Sequence, residues 1–242
     1  MRKIAIFVEG QTEMLFVDRL VQELANESGL AVEHAEASGG ASQARRWKFL
    51  KRLTVQPHHE VYVLIVNCGG DSKVKSDILE RYHGLRESGY SAVFGLRDVY
   101  GQFRYEDVPR LRRELSHGLP QTEPPVELFL AIMEIEAWFL AEHTHFSRVS
   151  VGLTSDRIRA KMHFDPVRDD LEQRWHPAED LDRIYQIAGV RYTKQRSNVE
   201  RTLELMDFQF FVMHTARRFR DADHLVRRLK AELHGGGGVG AG

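Results

Sequence analysis

The chain predicts an α/β fold: a mainly parallel sheet flanked by helices, with a helical extension at its C-terminal side. Three observations carry that reading. Val61–Val66 is an unbroken apolar run, the pattern of a strand buried on both faces. Short apolar runs alternate with amphipathic stretches up to about residue 142, the spacing of strand–helix–strand units. Beyond His143 the strand-like runs stop and only helical patterns remain. The expected division is therefore an α/β domain over 1–142, a helical extension packed on it over 143–234, and a glycine-rich tail over 235–242 that builds no core.

Taken in order, Lys3–Val8 is a short buried strand that runs into Glu9, a turn at Gly10 and a helix. The stripe Leu15, Phe16, Leu20, Val21 and Leu24 faces the sheet. Leu30–Ala37 reads as a second strand, broken at Gly39-Gly40. Ser42–Leu53 reads as a basic helix closed by Pro57. After the 61–66 strand, Val74–Glu87 is a helix, Ser91–Leu96 a strand ending at Arg97-Asp98, and Glu106–Ser116 a charged helix. Val126–Ile132 is the last strand, followed by a helical turn over Ala137–Glu142. In the extension, helices are expected over Asp156–Lys161, Pro177–Ile187, Val199–Met213 and Ala222–Leu233.

Composition narrows the function classes. The chain has 242 residues, 42% hydrophobic and 29% charged, which describes a soluble globular protein. No apolar run approaches the roughly 20 residues of a membrane span, and Glu9 interrupts the N-terminal apolar stretch before it resembles a signal segment. One cysteine, Cys68, excludes an internal disulfide and fits a reducing cytoplasm, where it is expected as a buried thiol. A formal charge of −1 gives no global attraction to nucleic acid. Basic residues cluster locally with aromatics at 45–52 around Trp47, and at 217–228 around Phe219. Either is a solvated helix face or a surface on which a base stacks.

The acids point to chemistry. On a parallel sheet Glu9, Asp98 and Glu134 all leave the carboxyl ends of strands, where ligands of open α/β sheets bind. Glu13 and Glu136 stand beside two of them. Such a group repels itself unless it is protonated or holds cations, and two Mg²⁺ or Mn²⁺ ions would meet that need. The local alternative for Glu9 and Glu13 is an ordinary strand end and a dipole-favoured first turn. Gly69, Gly70, Ser72 and Lys73 open a second strand-to-helix turn whose amides and ammonium are a phosphate-binding candidate, although it matches neither a P-loop nor a dinucleotide fingerprint. The twelve histidines are scattered, no cysteine joins them in a zinc set, and the serine-hydrolase elbow is missing.

Val8-Glu9-Gly10-x-Thr12-Glu13, the strand ending at Asp98, and Ile132-Met-Glu-Ile-Glu-Ala-Trp-Phe-Leu-Ala141 together resemble the Toprim fold, in the style of OLD-family and RloB-like nucleases. The resemblance spans roughly residues 3–142, and more loosely Tyr192-Thr-Lys194. It implies a two-metal nuclease for DNA, RNA or tRNA, with Glu9, Glu13, Asp98, Glu134 and Glu136 as metal ligands and Glu9, Asp98 and Lys194 in catalysis. It also implies an ABC- or AAA-type ATPase partner, a role in bacterial antiphage defence, a possible homo-oligomer and no membrane. The chain departs from the family at Tyr100, which stands where the usual Asp-x-Asp motif has its second acid. That departure keeps a second reading open, a non-catalytic Toprim-like subunit that binds or regulates the ATPase.

Overall fold

The computed structural model describes residues 1–25, 29–40, 43–70, 73–99 and 103–235. Its strands are β1 (Arg2–Val8), β2 (Leu30–Gly40), β3 (Gln43–Lys51), β4 (Val61–Asn67), β5 (Ala92–Asp98) and β6 (Val126–Ala131). They form one six-stranded sheet in the order β3-β2-β4-β1-β5-β6. β1 pairs in parallel with β4 and β5, and β2 in parallel with β4, while β3 returns antiparallel along β2. The helices are α1 (Gln11–Leu24), α2 (Lys73–Glu87), α3 (Val108–Ser116), α4 (Glu136–Ala141), α5 (His145–Val149), α6 (Ser155–Met162), α7 (Pro177–Ile187), α8 (Arg196–Leu205), the single turn α9 (Phe208–Phe210) and α10 (Arg220–His234). A mainly parallel sheet flanked by helices, with a helical C-terminal part, is thus the fold the sequence predicts. No described helix is long and apolar enough to cross a membrane.

The chain divides into two compact units, neither a single stretch of sequence. The first comprises 1–97, 110–129 and 224–242; the second comprises 98–109 and 130–223. The expected boundary near 142 falls inside the second.

In the first unit, alternation sorts the central strands into two buried faces. Ala5, Phe7, Leu64, Val66 and Val93 pack with Val74, Ile78 and Leu85 of α2. Gly95 belongs to that face: a Cβ there would lie 2.3 Å from Leu128 and 2.9 Å from Ile78, so the glycine lets α2 approach β5 closely. On the other face α1 buries Leu15, Phe16, Leu20, Val21 and Leu24, the stripe read from the sequence.

Two expectations are corrected. Ser42–Leu53 is not a helix. β3 occupies it, with Trp47 and Phe49 half-buried and Arg46, Lys48 and Leu50 exposed. That period of two is a strand signal, and β2 supplies the hydrogen bonds that a lone basic helix would have made internally. Val199–Met213 is not one helix either. α8 stops at Leu205, Met206 turns extended, and the Asp207 side chain accepts from Phe210 N to start the next turn, an N-cap acid that ends one helix and begins another. Cys68 is buried, as expected. Tyr100, Ser72 and the tail 236–242 lie outside the described residues.

Candidate functional site

The sequence-predicted acids occupy two local settings, one in each unit. In the first, β1 delivers Glu9 to the sheet edge. Val8 is in register with Asn67, so β1 and β4 end together, while β5, in register at Leu96, runs two residues further to Asp98. The Glu9 carbonyl accepts from Gly70 N at 2.9 Å, tying the first strand–helix turn to the second. Gly10 is the extended N-cap of α1 and offers no side-chain cap. Glu13 lies in the first turn and is buried, and a Cβ on Gly10 would come within 3.1 Å of its Oε2. The Glu13 carboxylate therefore folds back over the start of α1, where the helix dipole favours negative charge.

The Gly69–Gly70 turn directs its amides inward. Gly69 N donates to Asn67 Oδ1 at 2.9 Å, and Gly70 N to Glu9 O. Both glycines have positive φ, 67° and 152°, which closes the turn. Lys73 Nζ reaches back to Gly69 O at 3.4 Å. The described N–H groups of the expected phosphate loop are thus spent on closing the turn.

The second unit holds a different arrangement. Asp98, the buried last residue of β5, accepts from Ile135 N at 3.1 Å and so fixes the turn after β6. Within that turn Met133 adopts φ 64°, a left-handed conformation that costs a non-glycine residue about 1 kcal/mol or more. The strained residue directly precedes Glu134. Glu134 Oε1 accepts from Lys194 Nζ at 2.9 Å, and its Oε2 accepts from Ala178 N at 2.9 Å, in the first turn of α7. Pro177 opens that helix, and Glu134 satisfies one of the amides that a helix start leaves without a partner.

Glu136 opens α4 and is wholly buried. Its Oε1 accepts from Tyr192 OH at 2.7 Å. Lys194 Nζ stands 3.4 Å from its Oε2, yet that oxygen makes no hydrogen bond. Burial pushes the Glu136 carboxyl up; Lys194 pulls it partly back, and Glu134 raises it further. Burial by itself would lower Lys194, but Glu136, Asp98 and Glu134 together hold its ammonium well above the ordinary lysine range. A cavity of about 320 Å³ opens beside Lys194, lined also by Ala178, Asp182, Arg183, Tyr192 and Thr193. Asp182 is held below the usual carboxylate range: burial raises it, and hydrogen bonds from Arg191 and Tyr192 N more than offset that.

Tyr192 and the α7 amide are the partners sequence reading missed. Pro177 marks a helix start, but nothing local says which acid will cap it from 44 residues away.

The donor set suits a hard cation in type. It is all oxygen, and Glu136 Oε2 is a buried acceptor with an unmet hydrogen bond. Among the described residues no three acids, histidines or cysteines are grouped as a ready-made metal cage. Mg²⁺ asks for only one or two carboxylates and completes its shell with water, so Asp98 and Glu136 are donors of the type it takes.

A family model described as "Domain of unknown function (DUF4276)" matches residues 8–200. No curated protein and no solved structure matches the chain.

Proposed function

The chain belongs to the DUF4276 family, a domain of unknown function, and from that premise we propose a Toprim-like, Mg²⁺- or Mn²⁺-dependent phosphodiesterase that hydrolyses nucleic acid. One observation carries it: Glu134 and Glu136 both reach one half-exposed ammonium, Lys194, at 2.9 and 3.4 Å, and the charge of Asp98 adds to the field that keeps it protonated. The buried Oε2 of Glu136 makes no hydrogen bond, and it is the acceptor that a hard cation would satisfy.

Asp98 and Glu136 would hold the metal, which supplies an activated water and a counter-charge for the leaving oxygen. Tyr192 fixes Glu136 in one orientation through its 2.7 Å hydrogen bond. Ala178 N and Lys194 do the same for Glu134. The half-exposed Lys194 ammonium, at the mouth of the cavity, meets a phosphate oxygen and stays charged throughout the neutral range. The test is incubation of purified protein with supercoiled plasmid, single-stranded DNA and RNA in Mn²⁺ or Mg²⁺. Cleavage is expected from wild type and lost in Asp98→Asn and Glu136→Gln; Glu9→Ala and Glu13→Ala run beside them. Equal cleavage by wild type and both second-unit variants refutes the reading.

The Lys194–Glu134 pair favours a second reading. There the ammonium takes the place of the metal, and the Toprim-like scaffold binds or regulates an ABC- or AAA-type ATPase. Titration calorimetry separates the two: a heat of Mn²⁺ binding supports the enzyme, and silence at millimolar Mn²⁺ and Mg²⁺ supports the scaffold.

A further inference from the structure

We infer that the β2–β3 hairpin is a docking surface for the phosphodiester backbone of nucleic acid, read by charge and not by base. β2 keeps its β4 partner only as far as Glu36, which pairs with Asn67. Beyond it Ala37 and Ser38 pair only with β3, opposite Trp47 and Arg46. The hairpin therefore continues past the sheet edge at which β1 and β4 end. β3 is the outermost strand, and it carries the cations.

Register decides where those cations stand. Lys48 is opposite Glu36 and Arg46 opposite Ser38, so Arg46 and Lys48 share the face of His34 and Glu36. A bulge follows: Ala35 faces Phe49 while His34 faces Lys51, leaving Leu50 as the extra residue. The bulge returns Lys51 to the face of Arg46 and Lys48. Asp18 of α1 confirms the side. Its carboxylate lies 3.0 Å from His34 Nε2, and it is held low against the upward push of burial by hydrogen bonds with His34 and Gln22 and by the charges of His34 and Lys51. On the opposite face, Arg52 lies over the Phe49 ring at 4.8 Å and Arg81 of α2 over Trp47 at 5.2 Å. Trp47 also sets an edge against Phe7 at 5.9 Å.

These contacts change the meaning of the aromatics. With guanidinium groups over their faces, Trp47 and Phe49 hold cations in place and are not bare platforms for bases. Five cations, Arg46, Lys48, Lys51, Arg52 and Arg81, gather on one hairpin and its neighbouring helix, in a chain whose formal charge is −1. Glu33 accepts from Tyr62 OH at 2.6 Å and from Leu53 N at 2.9 Å, Asp18 is paired with His34, and Glu36 stands opposite Lys48. Basic residues on an edge strand also discourage strand addition, as does a bulge. That same obstruction disfavours an acidic peptide adding as a new strand and favours a ligand held through side-chain charge alone. A phosphodiester chain is that ligand.

The experiment is fluorescence anisotropy with a labelled 25-nucleotide single-stranded DNA, the matching RNA and a duplex. It is run on the full chain in EDTA, so that hydrolysis plays no part. The Arg46→Gln, Lys48→Gln double variant should bind at least about tenfold more weakly, with a log–log salt slope shallower by about 1.4 on single strands. Arg110→Gln, Arg113→Gln on α3 should bind as wild type. Circular dichroism checks that both variants are folded. No wild-type binding at low salt, an unchanged slope in the hairpin variant, or equal losses in both variants overturns the inference. So does full competition by poly-glutamate at equal charge, which would assign the surface to an acidic protein. The inference does not rest on hydrolysis: binding through the hairpin without cleavage sinks the proposed activity alone, and cleavage with unaltered hairpin-variant binding sinks this surface alone.

Discussion

Glu13 and Glu136 are both buried glutamates in the first turn of a helix, yet they are in opposite physical situations. Glu13 lies back over the start of α1, where the dipole of its own helix welcomes a negative charge. Glu136 is wholly buried, its hydrogen-bond donor comes from Tyr192, its counter-ion from Lys194, and one of its oxygens goes without. Its own backbone amide gives it some support, and the rest comes from residues far along the chain. A carboxylate folded over its own helix start is compatible with a structural part, whereas one held by distant groups and still incompletely satisfied is where the proposed chemistry is best tested.

The largest test removes the shared cation. Lys194→Met leaves Glu134 and Glu136 without their counter-charge and should cost about 3 kcal/mol, the low end for breaking a buried pair because the ammonium is half exposed. At this size that is a fall of about 6–12 °C in Tm. Because the folded lysine titrates above its unfolded counterpart, its contribution is complete below the ordinary lysine range and is lost only as pH rises through the folded value. The deficit should therefore be the same at pH 6 and pH 8. Millimolar Mg²⁺ or Mn²⁺ should raise the Tm of this variant more than that of wild type. If neither responds, the acids bind no metal.

Next comes Glu136→Gln, which keeps an acceptor for Tyr192 and discards the buried charge. A carboxyl raised by burial is protonated at low pH at no loss, and its charged form erodes stability as pH climbs through the raised value. The variant should gain about 1 kcal/mol at pH 7 by chemical denaturation, and the gain should shrink to nothing near pH 4. Stability that rises while nuclease activity vanishes is the expected signature of a functional charge. A loss of stability at pH 7 would place Glu136 with Glu13, as a structural acid.

In the first unit the effects should be smaller. Gly10→Ala crowds Glu13 Oε2 at 3.1 Å and worsens the N-cap, for about 0.5–1 kcal/mol. Glu13→Gln weakens a favourable dipole interaction, roughly 0.3–1 kcal/mol, read as a Tm shift of a few degrees.

How legible each setting was follows from the range of the forces that made it. The stripe of α1, the continuous apolar run of β4 and the pause at Gly69-Gly70 are consequences of neighbours in the chain, and periodicity exposed them. The β3 segment shows the limit. Its alternation was present, but its basic composition read as a helix face, and only pairing with β2 decides for a strand. The break at Asp207 was equally visible as a capping residue and equally easy to pass over.

The amino-acid order by itself determined the alternation of strands and helices, the burial of Cys68 and the presence of acids at the carboxyl ends of β1 and β5 and just after β6, because each depends on spacing along a few turns of chain. Only the tertiary structure decided that Lys194 and Tyr192 close on Glu134 and Glu136, and that Ala178 N completes the set. Those contacts bridge 44 to 60 residues. Electrostatic pairing in a buried space answers to distance in three dimensions, and no period in the sequence encodes it.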